Sequence, residues 1–75
     1  MTEQIPITEQ ERAVLLLAAE GYTNQQISRH LGISERAAAR RLGEFTDRHG
    51  LRGRTHAVAY ALRNRLIEPV EPDDG

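Results

Sequence analysis

Seventy-five residues with a formal net charge of −1, ten arginines, no lysine and no cysteine make one small domain. The lack of cysteine excludes a disulfide staple and a thiolate metal site, and His30, His49 and His56 have no acidic or cysteine neighbours at ligand spacing. The longest apolar run, AVLLLAA, is too short to cross a bilayer, and MTEQIPITE lacks the basic-then-apolar order of a secretory signal, so the reading is a soluble cytoplasmic protein with no membrane association and no cofactor.

Residues 1–6 read as a flexible N-terminus. The first helix starts after Thr8, which with Glu11 matches a capping box; Glu9 and Glu11 also favour the positive end of the helix dipole. Val14, Leu15, Leu17 and Ala18 recur at helical spacing, and Gly21 ends the helix. Thr23 or Asn24 caps a short second helix through about His30, with Ile27 and Leu31 as its buried edge. HLGIS is a tight turn in which Gly32 supplies the permissive backbone, Ile33 plugs the core and Ser34 caps the next helix. The third helix runs from Glu35 to about His49 and stops at Gly50. LRGR is a loop. Thr55 caps a fourth helix carrying Ala57, Val58, Ala61 and Leu62 and ending near Leu66. EPVEPDDG, with two prolines and four acids, reads as a disordered acidic tail over 68–75. No strand-like alternation is sustained, so the fold is all-α, with one four-helix domain over 7–67.

Charge is unevenly placed. From Arg29 to Arg65 nine arginines face only Glu35, Glu44 and Asp47, a local balance of +6, while the remaining acids lie at the two ends. Such asymmetry means more for partners than the total does. An all-arginine set has two readings: codon bias of the kind a GC-rich genome produces, and phosphate and base-edge recognition, where the guanidinium fork suits better than an ammonium. Two helices joined by about four residues with Gly32 in the turn form a helix-turn-helix pattern, which many helical domains share.

The wider pattern is more specific. ITEQERAVLLLAAEGYTNQQISRHLGIS resembles the opening of the LuxR/FixJ-type (GerE-like) helix-turn-helix family, with its Leu-Thr-x-x-Glu, Val-Leu pair, Ala-x-Gly, Ser/Thr-Asn pair and Ile-Ser. GLRGRTHAVAYALRNRLI is similar to that family's closing segment. The resemblance covers Ile7 to Ile67, and free-standing small members are its nearest match. It implies a four-helix domain that controls transcription. The third helix enters the major groove, the second helix and nearby loops hold phosphates, and the fourth helix forms a two-fold dimer. The chain departs from the pattern at Ala37-Ala38-Ala39, where Thr-Val-Lys is usual, at Arg41, where His is frequent, at His49, where Leu is expected, and at Gln26, where an acid is common.

On the third helix, Ala38, Leu42 and Phe45 fall on the core face, with Phe45 filling space that Ala38 leaves. Arg36, Ala39, Arg40 and Gly43 share the opposite face at i, i+3, i+4 and i+7. Under the resemblance this face meets the bases: Ala39 and Gly43 leave a shallow surface, and Arg36 and Arg40 are long enough to bond a guanine edge. Thr23, Asn24, Arg29, Arg41 and Arg54 are the phosphate candidates. Without the resemblance, Thr23 and Asn24 are sufficiently explained as caps, Arg41 as the partner of Glu44 or of a first-helix acid, and the other arginines as a solvated surface. Ala59, Tyr60 and Arg63 are the expected dimer contacts. His49 is expected near a helix C-terminus or partly buried.

Two readings follow. The first is a sequence-specific transcriptional regulator that binds double-stranded DNA as a homodimer. The alternative is a helix-turn-helix-derived protein-interaction module that binds another regulator or RNA polymerase with little base readout. No nucleophile–base pair or phosphate loop supports an enzyme.

Overall fold

The computed structural model describes residues 5–68. Four helices follow in chain order: α1 Glu9–Ala19, α2 Asn24–Leu31, α3 Glu35–Arg48 and α4 Arg54–Arg63. No strand occurs among the described residues. Residues 1–4 and the expected acidic tail beyond Glu68 lie outside them.

Three helices start on the expected side chains. The Thr8 hydroxyl accepts the Glu11 N–H at 3.0 Å, and the Glu11 carboxylate accepts the Thr8 N–H at 3.1 Å. Thr23 and Gln26 repeat this reciprocal pair on α2, so Gln26 does the work of an acid there. Ser34 accepts the Ala37 N–H at 3.0 Å. A cap of this kind is worth about 1 kcal/mol.

The start of α4 corrects the expectation for Thr55. The cap lies two residues earlier, at an extended Gly53 that offers no side-chain cap, and the helix begins at Arg54. The Arg54 guanidinium is tied to the Asn24 side chain and to the Tyr22 carbonyl, which fixes Arg54 as the first helical residue. His56 compensates in part, since its Nδ1 accepts the Arg52 N–H at 3.1 Å.

All four helices end in the same way. Gly21, Gly32, Gly50 and Arg65 follow or cap the helices with φ of 94°, 70°, 65° and 59°. The next residue in each case turns its N–H back onto the last turn: Tyr22 to Leu17, Ile33 to Ser28, Leu51 to Thr46 and Leu66 to Ala61, at 2.8–3.1 Å. This is the Schellman pattern, which satisfies carbonyls the helix leaves open. It corrects the end of α4, expected near Leu66. The left-handed exit at Arg65 closes the helix at Arg63 and carries Ile67 into the core.

The core joins Val14, Leu15 and Ala18 of α1, Ile27 of α2, Ala38, Leu42 and Phe45 of α3, Ala57 and Ala61 of α4, and Ile67. Ala38 and Phe45 are both fully buried. Small residues on α3 and α4 let the helices close on the one phenylalanine, in keeping with the dense packing of protein interiors. Val58 is half-buried and Leu62 is 36% exposed, so α4 does not turn all its apolar positions inward.

One charged group is buried in this packing. Glu11 accepts from both terminal nitrogens of Arg48, the Nη1 bond at 3.1 Å, across α1 and α3. Arg48 also donates to the Pro6 carbonyl at 3.3 Å, tying the segment before α1 to the end of α3. Burial works to raise the Glu11 pKa. The hydrogen bonds from Arg48 and from the Thr8 N–H, with the charges of Arg48 and His49, outweigh it and hold the carboxyl below its ordinary value. The charged form therefore stabilises the fold fully above the ordinary carboxylate pKa, and this contribution disappears as pH falls through the lowered value. Glu11→Gln is expected to cost about 1–3 kcal/mol at neutral pH, less than a fully buried broken pair, because glutamine still accepts and Arg48 stays partly hydrated. Thermal unfolding from about pH 7 down to about pH 3 should then show a flatter stability profile in the variant than in the parent; parallel profiles would remove Glu11 from the acid response.

Candidate nucleic-acid interface

The turn between α2 and α3 is three residues with three functions. Gly32 adopts the left-handed conformation, Ile33 packs on the core and Ser34 caps α3. With Ala38, Leu42 and Phe45 turned inward, the opposite face of α3 is left to solvent. Arg36, Ala39 and Arg40 are exposed there, and Gly43 is half-buried. A Cβ added at Gly43 would meet nothing within 4 Å, so packing does not require glycine. A mid-helix glycine weakens a helix by about 0.5–1 kcal/mol. What it provides here is low relief between the arginines.

The arginines divide into held and free. The Arg40 side chain is 70% exposed, with Nε 3.2 Å from the Glu44 carboxylate. Arg41 is held twice, by Gln10 Oε1 at 2.5 Å through Nε and by Glu44 at 3.5 Å through Nη1. Arg29 and Arg36 are exposed and form no ion pair among the described residues.

Asn24 and Arg54, both phosphate candidates and 30 positions apart in the chain, meet. Arg54 Nη1 donates to Asn24 Oδ1 at 2.8 Å, and Nη2 donates to the Tyr22 carbonyl. One guanidinium thus links the first residue of α2 to the first residue of α4. Thr23 caps α2 beside it. Helix N-termini carry a partial positive charge and free N–H groups. The first turns of α1 and α3 contain glutamates, but those of α2 and α4 contain no acid. Two positive helix ends are therefore bridged by a cation without a local carboxylate in either first turn. Such a focus suits an anion, and phosphate is the anion helix N-termini commonly take.

On α4, Ala59 and Tyr60 are half-buried and Arg63 is exposed. Tyr60 packs in its own chain, its ring centroid 5.2 Å from that of His49 and 6.0 Å from that of Phe45. His49 lies at the C-cap of α3, half-buried, with Nε2 3.2 Å from the Pro6 carbonyl. Both parts of its expectation describe it. Sequence reasoning missed Arg48, Gln10 and the double role of Glu44. The partners of Gln10 and Arg48 lie 31 and 37 positions away, beyond any local spacing, whereas Glu44 meets Arg41 as the i, i+3 spacing allows and Arg40 in addition. Among the described residues no helix is long and apolar enough to cross a membrane, and no group of three His, Cys, Asp or Glu could hold a metal ion.

Residues 6–61 match the model for bacterial regulatory proteins of the luxR family. The chain belongs to the luxR family. Transcriptional activator protein BjaR1 of Bradyrhizobium diazoefficiens is 36% identical over 63 residues, covering 84% of this chain and 26% of that protein. Response regulator protein VraR of Staphylococcus aureus is 34% identical over 62 residues, covering 83% and 30%. The chain therefore spans roughly a quarter to a third of the length of these curated relatives. A solved structure of the transcription factor GerE superposes with a TM-score of 0.80 at 27% identity, covering 83% of this chain and 92% of that one. The luxR family is one of DNA-binding transcription regulators, not of enzymes.

The α2–α4 focus makes a prediction that needs no DNA. Titrating inorganic phosphate should shift the backbone amide resonances of Asn24 and Gln25, and Arg54→Ala should weaken that response several-fold. Equal shifts in parent and variant would mean that Arg54 is only a brace between the two helices.

Proposed function

We propose that this luxR-family domain binds double-stranded DNA with α3 in the major groove, reading bases through Arg36 and Arg40 across the low surface of Ala39 and Gly43. Thr23, Asn24, Arg29 and Arg54 hold phosphates, and Arg41 braces α3 at the edge of the contact. The observation that carries the reading is the helix-turn-helix with an arginine-bearing outer face, combined with two uncompensated helix N-termini joined by Arg54. Phosphate contacts give affinity and register, and base-edge contacts give sequence preference.

The domain acts as a homodimer in this proposal, with α4 meeting its two-fold mate and two α3 helices spaced about 34 Å apart, one turn of duplex. Ala59 and Arg63 lie on the outer part of α4. Leu62 is the large apolar side chain left exposed there, which makes it the better probe of self-association than Tyr60, whose ring also packs on His49 and Phe45. Leu62→Glu should weaken self-association in sedimentation about tenfold or more and reduce cooperative DNA binding. A parent chain that is monomeric both free and on DNA would remove the dimer from the proposal.

The second reading, a module that binds another regulator or RNA polymerase with little base readout, draws on the pairing of Arg40, Arg41 and Arg48 within the chain. Salt separates the two. A DNA binder loses affinity steeply with salt as counterions are released.

Arg40 gives the sharpest test of base readout. In-vitro selection from a random duplex pool supplies a preferred site, and a scrambled duplex supplies the reference. Arg40→Ala should lose about 1–3 kcal/mol on the preferred site and flatten preference at one base pair. Arg29→Ala should weaken both duplexes alike and lower the salt slope by about one unit. Equal loss on both duplexes for Arg40→Ala would reduce that residue to a phosphate contact, and preference would have to come from DNA shape.

A further inference from the structure

Four polar side chains form a chain from α1 to the outer face of α3. Gln10 accepts from Arg41 Nε at 2.5 Å, Arg41 Nη1 lies 3.5 Å from one Glu44 oxygen, and the other Glu44 oxygen accepts from Arg40 Nε at 3.2 Å. Its first member sits on a helix of the core scaffold, and its last is the most solvent-exposed member of the ion pairs, at 70%.

The arrangement differs from an ordinary helix-surface pair. An isolated exposed Arg–Glu pair orders neither partner well, since both side chains are long and water competes. Here Glu44 is fixed from behind: Arg41, itself pinned by Gln10 and only 34% exposed, holds one oxygen. The free oxygen then presents a directed acceptor to Arg40. Arginine has five N–H donors in a rigid plane, and the contact with Glu44 occupies only Nε. Both terminal nitrogens remain for a bidentate partner such as guanine O6 and N7. The flanking Ala39 and Gly43 provide no side chain that could orient Arg40 in place of Glu44.

We infer that Glu44 is a positioning residue for sequence preference: braced by Gln10 and Arg41, it aims the terminal nitrogens of Arg40 at a base edge. The inference rests on the base-reading role proposed for Arg40. It gives Glu44 opposite effects on two observables. As an anion near the duplex, Glu44 opposes binding to any DNA. As the partner that orients Arg40, it raises the preference for one sequence over another.

The experiment measures binding of the parent, Glu44→Ala, Glu44→Gln, Arg40→Ala and the double variant Arg40→Ala/Glu44→Ala to the selected duplex and to its scrambled counterpart, after circular dichroism has confirmed each fold. Glu44→Ala should bind the scrambled duplex more tightly than the parent does, while its preference for the selected duplex falls by about three- to tenfold. Glu44→Gln keeps an acceptor for Arg40 Nε without the charge. It should bind both duplexes more tightly and keep the parent's preference within about twofold. In the Arg40→Ala background, removing Glu44 should leave the preference unchanged, because nothing remains to be aimed. An unchanged preference in Glu44→Ala overturns the inference. So does an equal fall with and without Arg40, or a fall in Glu44→Gln as large as in Glu44→Ala. If Arg40→Ala alone leaves the preference intact, the proposed base readout has failed, and the inference falls with it by a result read in a different variant.

Discussion

Each of the four helices in the described residues exits through one residue in the left-handed region, and the residue after it falls back on the core. Tyr22, Ile33, Leu51 and Leu66 occupy that second position, and all four are partly buried hydrophobics packed on the central cluster. Helices of 8–14 residues are too short to be stable alone. They depend on being folded back sharply against one another, and this exit does so four times while satisfying the last carbonyls. The turn between α2 and α3 shows what depends on it. With Gly32, Ile33 and Ser34 fixed as exit, plug and cap, α3 has one rotational setting. Ala38, Leu42 and Phe45 enter the core, and Arg36, Ala39 and Arg40 are left outside.

Polar contacts then assign the arginines of α3 to two faces. Adjacent residues on α1, Gln10 and Glu11, take Arg41 and Arg48 on α3. These two arginines secure the helix to the scaffold, and Arg48 does so against a buried carboxylate whose charged form the pair sustains. Arg36 and Arg40 remain on the other side. The same economy marks the helix starts. Glutamates offset the dipoles of α1 and α3, while α2 and α4 begin without an acid and are joined by Arg54. The net charge of −1 thus conceals a domain whose acids attend its scaffold and whose free cations face outward.

Legibility in the sequence followed the range of the interaction that decides each feature. Thr8, Ser34 and Gly32 were readable because a cap or a left-handed exit is decided within three or four residues. Ala38 and Phe45 were readable from helical spacing alone. The start of α4 was not, because Arg54 is set by Asn24 and Tyr22, about thirty positions back, while Thr55 offers a local signal that the fold does not use. Its end was hidden for a different reason: the left-handed residue there is Arg65 (φ 59°) and not a glycine, a choice that costs about 1 kcal/mol and that no propensity rule would select. The resemblance points to Asn24 and Arg54 separately, but their contact is beyond sequence spacing, as are the contacts of Arg41 with Gln10 and of Arg48 with Glu11; the pair of Arg41 with Glu44, three residues apart, is legible.

The three alanines that open α3 have separate meanings once the helix is seated. Ala37 is half-buried, Ala38 is buried and Ala39 is exposed, so only Ala39 belongs to the face proposed to meet DNA. That face is low, and a low face cannot discriminate through an interlocking set of side chains. Any preference must come from a few long arginines, whose many rotamers make them poor readers unless something fixes their direction. Arg29, without an ion-pair partner among the described residues, is suited to phosphates, which are recognised by charge and tolerate variable geometry. Arg40, held by Glu44, is suited to a base edge, which is recognised by direction. In the proposed reading the alanines therefore do not mark a helix that has lost its readout. Ala39 clears the surface so that Arg36 and the braced Arg40 can carry it.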